Sequence, residues 1–437
     1  MLSGRRTGFL VGLLCLFGCN AQHVTSTIDT LQMQTFAENG GWCWFQDERA
    51  VIHNNLLVIG SLSGTGGGDV RVSSYNLDAG KNMGTVVLHA QLEQDDHDTP
   101  ALFVRNDGSI LAMYAQHFKT RDPNHYYRIS EPDNPLHWGP EQQYNHGDGN
   151  WITYMNLYEI PAENTLYCFY RDGKEYQPTY IQSGDQGRTW QGGGLFISHG
   201  LERRHRPYAR YTSNNRDAIQ VTFTEAHPDA FDRGCSIYYA AFKNGNFYRA
   251  DGSLIKSLKQ DGPVTTAEAD MIFRGDSLNN AWTSSIELDN DEYPHIGYSV
   301  HKTPQDHRYR YAWWESYQWQ DMEIAYAGAR LYEQQAYYTG LITLDPSNPR
   351  IVYISSDVDP ATGEKTGTGK YEIYRTVIPG NATAERPQWQ AVTEASTVDN
   401  IRPVCVAGNG RTVLLWMRGR YTSFIDYDTD IVGIILE

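Results

Sequence analysis

One pattern recurs seven times along this chain: an apolar β-type run, a turn rich in Asn, Asp and Gly, then a second apolar run. The units span residues 49–61, 101–116, 154–170, 208–224, 284–300, 340–356 and 403–417. Their starts lie about 45–75 residues apart, which leaves room for two further strands in every interval. Long helical periodicity is missing. Successive four-stranded antiparallel sheets of this kind close into a ring, so the expected fold is all-β, a seven-bladed β-propeller over residues 38–437. Residues 303–335 are hard to divide, and a six-bladed propeller is the alternative.

A second signature supports the ring. Ser183-Gly184-Asp185-Gln186-Gly187-Arg188-Thr189-Trp190 fits the Asp-box pattern S-x-D-x-G-x-T-W, in which Asp and Gly set a hairpin turn and Trp packs between strands. It reports fold, not chemistry.

The N-terminus reads as an address. Arg5 and Arg6 precede a short apolar run over residues 8–17, too short to span a bilayer, which is signal-peptide anatomy. Leu16-Phe17-Gly18-Cys19 resembles a bacterial lipobox with Cys19 as the lipidated residue, although Phe17 departs from the usual small residue and ordinary cleavage near Ala21 stays open. The expectation is an exported lipoprotein at the outer membrane, periplasm or cell surface, with residues 1–19 as signal, 20–37 as linker and a membrane partner only through the lipid. Cys43, Cys168, Cys235 and Cys405 are too far apart in sequence to read a pairing, and four buried thiols are an equal reading.

Propeller topology sorts side chains by face. The residue before the innermost strand and the residue after the next strand emerge on one face, here called anterior; the hairpin between them emerges on the other, posterior. The rule gathers His97, His117, Tyr154, Arg171, Tyr208, His227 and Arg402 on the anterior face, with Arg206 beside Tyr208. It places His53, at the tip His53-Asn54-Asn55, on the posterior face.

These residue types suit β-elimination on a uronic acid. Arg or protonated His neutralises the carboxylate, His or Tyr takes the proton beside it, and Tyr or His protonates the leaving oxygen. No cofactor is required. Patterns for a zinc protease, a phosphate-binding loop, a dinucleotide fold and a serine nucleophile elbow are absent. His205, His227 and Cys235 are the candidates for a structural metal, at a spacing that matches no standard motif. A net charge of −16 disfavours nucleic acid, and the basic run Arg203, Arg204, Arg206 and Arg210 offers a local exception for an anionic sugar.

Residues 41–50 (GWCWFQDERA), 95–102 (DDHDTPAL) and Arg206-Pro207-Tyr208 resemble the BNR-repeat propeller family of polysaccharide-degrading enzymes. The resemblance implies a rhamnose- and glucuronate-containing polysaccharide or oligosaccharide as partner. It also implies two alternatives for chemistry. One branch, α-L-rhamnosidases acting on L-rhamnose-α-1,4-D-glucuronate ends of arabinogalactan or gum arabic type, uses a single posterior histidine, matched here by His53. The other branch, ulvan-type lyases, works on the anterior face. There His97 and Tyr154 match the catalytic pair, His117 and Arg171 the carboxylate-neutralising pair, and Tyr208 a further pocket residue. Because His53 occupies the position that separates the branches, the expectation favours the exo-acting rhamnosidase, with the lyase as its alternative. Binding of a glycan without turnover is the non-enzymatic alternative.

Overall fold

Each of the seven hairpins forms where the alternation places it, and each is extended outward into a blade. The computed structural model describes Met1 and residues 32–436, apart from 121, 146, 148, 175, 201–205, 229–233 and 381–385. Cys19, the apolar leader, Arg203, Arg204 and His205 fall outside the described residues.

The first blade runs Ala50–His53, Leu56–Leu62, Val70–Asn76 and Lys81–His89, all antiparallel neighbours. The second opens with Ala101–Val104 and Ile110–Tyr114, the third with Ile152–Ile160 and Thr165–Asp172, the fourth with Ala209–Ser213 and Ile219–Phe223. The fifth comprises Asn280–Leu288, Pro294–Thr303, Asp306–Glu315 and Gln318–Gly328, so the stretch that resisted division is one regular blade. The sixth opens with Ile342–Asp345, and the seventh with Asp399–Gly408. The ring therefore has seven blades, not six.

The seventh blade corrects the expected linker. Its outermost strand is Gln34–Ala37, paired antiparallel with Asp426–Leu436, so the propeller starts at residue 34 and the two ends of the sequence share one sheet. Phe36 is fully buried there, edge-on to Tyr75 at 4.8 Å. Four residues with no hairpin partner nearby carry too short a pattern to be recognised as a strand.

Apolar layers fill the wedges between blades. Phe169 stacks on Tyr211 at 4.3 Å, joining the third blade to the fourth, and Val58, Val72, Leu111 and Ala112 are sealed at the inner wedges. Each fully buried side chain of this size contributes about 1.5–3 kcal/mol relative to exposure. The Asp box forms as expected. Thr189 donates to Asp185 Oδ2 through its hydroxyl at 2.7 Å, Gly187 N–H donates to Ser183 Oγ at 2.8 Å, and Trp190 is buried. Cys43, Cys168, Cys235 and Cys405 are free and buried.

The axis is not an open channel. Residues 42–49 cross it as a plug. Phe45 stacks on Trp282 of the fifth blade at 3.8 Å, and Trp44 Nε1 donates to Thr339 O at 2.6 Å. Two buried arginines grip the plug's carbonyls, and a third, Arg49 of the plug itself, reaches out to the third blade. Arg210 Nη2 donates to Trp44 O at 2.7 Å, Arg402 Nε to Cys43 O at 3.0 Å, and Arg49 Nη2 holds Met155 O at 2.6 Å. This corrects two sequence expectations. Arg402 sits in a bulge with φ +54, which turns its side chain inward to the plug. Arg210 is 2% exposed and belongs to the plug, not to a surface basic patch.

Candidate active site on the anterior face

The anterior cluster is built on one short turn. Asp96–Asp98 forms a single 3-10 turn, and Asp95 caps it by accepting the His97 N–H at 3.0 Å. The turn is tied to the seventh blade, because Asp96 N–H donates to Phe424 O and the Tyr421 hydroxyl donates to Asp96 Oδ2 at 2.7 Å. The plug supports it from beneath, with Gln46 Nε2 donating to His97 O at 2.6 Å.

Asp95 then does something the sequence did not announce. Its Oδ1 accepts from His97 Nδ1 at 2.6 Å, and its Oδ2 accepts from His117 Nδ1 at 2.8 Å. One carboxylate thus fixes the tautomer of two imidazoles, which stack with centroids 4.0 Å apart. Both Nε2 atoms are left facing outward. His97 Nε2 meets the Tyr154 hydroxyl at 2.9 Å, and His117 Nε2 meets Arg171 Nη2 at 3.5 Å. Arg171 Nη1 donates to the Tyr208 hydroxyl at 3.0 Å, and its guanidinium lies 4.4 Å over the Tyr154 ring. Five of the seven side chains gathered by the topological rule, His97, His117, Tyr154, Arg171 and Tyr208, therefore form one contiguous constellation, each only 6–9% exposed.

Tyr154 carries the one strained backbone angle inside this constellation, φ +63, in a bulge between Thr153 and Asn156. A non-glycine residue there costs about 1–3 kcal/mol, and the bulge aims the phenol at His97.

Burial and neighbours set the charge states. Burial works against charge on His97, but Cys43, Tyr154 and Asp95 outweigh it and hold its proton well above the ordinary histidine value. Burial, reinforced by the positive charge of His97, pushes His117 down to about 4. Asp95, despite its burial, is held below the usual carboxylate range by the two histidines. Tyr154 is pushed well above its ordinary value by burial and stays protonated. The stacked pair thus carries one positive charge, on His97. His117 is neutral with its lone pair toward Arg171, so it steadies Arg171 and leaves the positive charge to it.

The remaining sequence candidates lie elsewhere. His227 is anterior but one step away, 5.4 Å from the Tyr208 ring and 4.5 Å from Trp282. The Cys235 thiol donates to Ala226 O at 3.2 Å and is pushed up by burial. Neither joins a metal-sized group among the described residues; the groups close enough are Cys43–Asp96–His97 and Asp95–His97–His117, where Nδ1 donates to a carboxylate instead. Arg206 is half-buried where the chain enters the fourth blade. His53 is posterior, as the topology requires. Its Nε2 pairs with Asp133 Oδ1 at 2.7 Å, and Asn54 Nδ2 donates to the same oxygen at 2.9 Å.

A cavity of about 690 Å³ forms the posterior funnel beneath the plug, and His53 does not line it. Six carboxylates do (Asp47, Glu48, Glu159, Glu287, Asp289 and Glu292), against Arg49 alone. Burial pushes Asp47 up to about 6 in spite of Arg210, and pushes Glu287 well above the usual range with Glu48 adding to the effect.

Fold and site together define a seven-bladed propeller with a buried His–Tyr–Arg constellation on its anterior face. Residues 63–327, well over half of the chain, match the model of the BNR repeat-containing family, and the chain belongs to that family. No curated protein matches the sequence. Among solved structures it is similar to an ulvan lyase from a polysaccharide lyase family, solved bound to -[GlcA(1-4)Rha3S]-, with 16% identity, a TM-score of 0.65, and 92% of this chain and 95% of that chain covered. It is also similar to polysaccharide lyase Uly1, with 12% identity, a TM-score of 0.60, and 92% of each chain covered.

Proposed function

We propose that this protein is a polysaccharide lyase that cleaves at rhamnose–uronic acid linkages by β-elimination, using the anterior constellation. The observation that carries the reading is the hydrogen-bonded His97–Tyr154 pair beside Arg171 in a nearly dry site. Arg171 holds the uronate carboxylate and stabilises the negative charge that develops on it, in surroundings where such an interaction is strong. His97, once neutral, takes the proton from C5. The C4–C5 double bond forms, the C4–O4 bond breaks, and Tyr154 gives its proton to the departing oxygen. In a gluco-configured uronate the C5 proton and O4 lie on the same face of the ring. Base and acid must then sit side by side, as His97 and Tyr154 do at 2.9 Å. Asp95 orients His97 and raises its basicity.

The similarity to an ulvan lyase solved with a glucuronate–rhamnose sulfate fragment supports the same substrate class. The rhamnosidase expectation draws less support. His53 is engaged by Asp133, and the neighbouring funnel presents carboxylates to a substrate that itself carries one.

The test is one incubation of the mature protein with ulvan and with a rhamnosyl-α-1,4-glucuronate oligosaccharide, following free rhamnose and the ultraviolet absorbance of an unsaturated uronate together. Absorbance lost in His97→Ala and kept in His53→Ala is expected. Rhamnose without absorbance, lost only in His53→Ala, overturns the proposal.

A further inference from the structure

The catalytic constellation encloses almost no space of its own: the cavity against Tyr154, Arg171 and Tyr208 is about 20 Å³. A cavity of about 390 Å³ opens immediately beside it, walled by Phe118, Asn150, Trp151, Lys174 and Tyr176. Three aromatic rings form one continuous corner. Trp151 meets Phe118 edge-on at 5.8 Å and Tyr176 edge-on at 5.3 Å. Phe118 is 53% exposed, an unusual state for a phenylalanine next to a polar site.

The corner is continuous with the catalytic groups. Trp151 packs edge-on to His117 at 5.4 Å, and Arg171 lies 5.6 Å over its indole. The corner is also held in place. Gly173 N–H donates to Trp151 O at 2.8 Å, and a Cβ at Gly173 would stand 2.7 Å from the indole ring, so only glycine lets the backbone press against that face. Tyr176 adopts φ +57 while its N–H donates to Asp172 O at 2.8 Å. Lys174, exposed at the rim, has its N–H fixed by Asp172 Oδ1 at 2.6 Å. A pre-formed aromatic corner of this volume with one cation at its edge matches the chemistry of a sugar ring that carries a negative group: C–H faces on the rings, anion on the ammonium.

We propose that Phe118, Trp151, Tyr176 and Lys174 form a subsite for the sugar residue adjoining the one that is cut, and that Lys174 meets an anionic group, carboxylate or sulfate, on that residue. The placement of the cut residue rests on the elimination reading above.

The experiment compares Phe118→Ala, Phe118→Tyr and Lys174→Gln with the unaltered protein on glucuronate–rhamnose oligosaccharides. Substrates are the shortest that is cleaved and one two residues longer, each sulfated and desulfated. Phe118→Ala is expected to raise KM about tenfold on the longer substrate, with kcat within about twofold, and to leave the shortest substrate within about twofold. Phe118→Tyr restores the longer substrate. Lys174→Gln raises KM on sulfated substrate alone if sulfate is the group, and on both if carboxylate is. Equal losses on short and long substrates, or unchanged KM in Phe118→Ala and Lys174→Gln, overturn the subsite. Calorimetric binding of the longer oligosaccharide to the same variants separates the two readings. If no elimination product forms from any substrate, the lyase reading fails alone; weaker binding in Phe118→Ala then sustains the subsite, and unchanged binding overturns it.

Discussion

The two faces of the plug differ in their balance of buried charge: histidines and Arg171 stand among the carboxylates on one, and carboxylates dominate the other. On the anterior side Asp95 serves two histidines and Arg171 is enclosed by Tyr154, Tyr208 and His117, while burial pushes Asp96 and Asp98 of the same turn up. On the posterior side carboxylates outnumber cations along the funnel, and burial pushes Asp47 up to about 6 and Glu287 well above the usual range. The posterior funnel is also far larger, about 690 Å³ against about 20 Å³ at the constellation. Volume alone would choose the side opposite to the one proposed for elimination. For an anionic sugar, the arrangement of charge decides, because a like charge brought to a buried site costs several kcal/mol.

The largest effects should fall on the anterior side. His97→Ala or Tyr154→Phe is expected to lower kcat/KM for elimination by about 10³-fold, whereas His53→Ala changes it less than about twofold. Initial rates of ultraviolet product check this, and the reverse pattern would move the chemistry to the posterior tip.

Asp95→Asn comes next, with a loss of about 100-fold. Because His97 rests protonated and must be neutral to act, activity should rise with pH above neutrality. Removing the Asp95 charge lowers the His97 pKa and moves that rising limb to lower pH. A pH–rate profile that keeps its limb in Asp95→Asn would detach Asp95 from the proton chemistry.

Acid stability contrasts the faces more gently. Burial lowers His117, His295 and His307 from 6.5 to about 4, so the unfolded chain binds protons from pH 6.5 downward while the folded one does not until about pH 4. Stability therefore falls across that window. Asp47 works the other way: its folded carboxyl takes a proton near pH 6 and its unfolded one near 3.8, so stability is gained between them as pH falls. The histidines should dominate, giving a Tm that drops by a few degrees from pH 7 to pH 4.5 in differential scanning calorimetry. His117→Asn should flatten the drop, and Asp47→Asn should steepen it.

The smallest effect is posterior. Glu287→Gln removes a carboxyl group whose ionisation is opposed by burial and by Glu48, and should raise Tm at pH 8 by about 1–2 °C. Elimination should stay within about twofold. A large loss of activity in this variant would give the funnel a role in the reaction.

The sequence disclosed what depends on local pattern and strand order. Alternation around turn residues located every hairpin, and the order of strands within a blade assigned His97, His117, Tyr154, Arg171 and Tyr208 to one face, where they meet. What escaped depends on contacts distant in sequence. Asp95 lay in plain view in the run DDHD, but its bridge to His117 is visible only when the second blade folds back. Trp151 precedes its strand without a motif to mark it. Residues 42–49 carry a family signature but no periodicity, so their passage through the axis could not be foreseen, nor could the recruitment of Arg210 and Arg402 to hold them. The acidity of the funnel comes from the plug and from hairpins of the third and fifth blades, which no single stretch of sequence gathers.

The clasp between Gln34–Ala37 and Asp426–Leu436 has a consequence in time. A chain made from its N-terminus can assemble its first six sheets as their strands arrive, but the early strand waits for a partner nearly 400 residues away. The same late region supplies Tyr421 and Phe424, which anchor the turn that carries His97. On the elimination reading, the turn that carries His97 gains its anchors only after this late region has folded. Loss of that region would remove those anchors and, on the elimination reading, the activity with them.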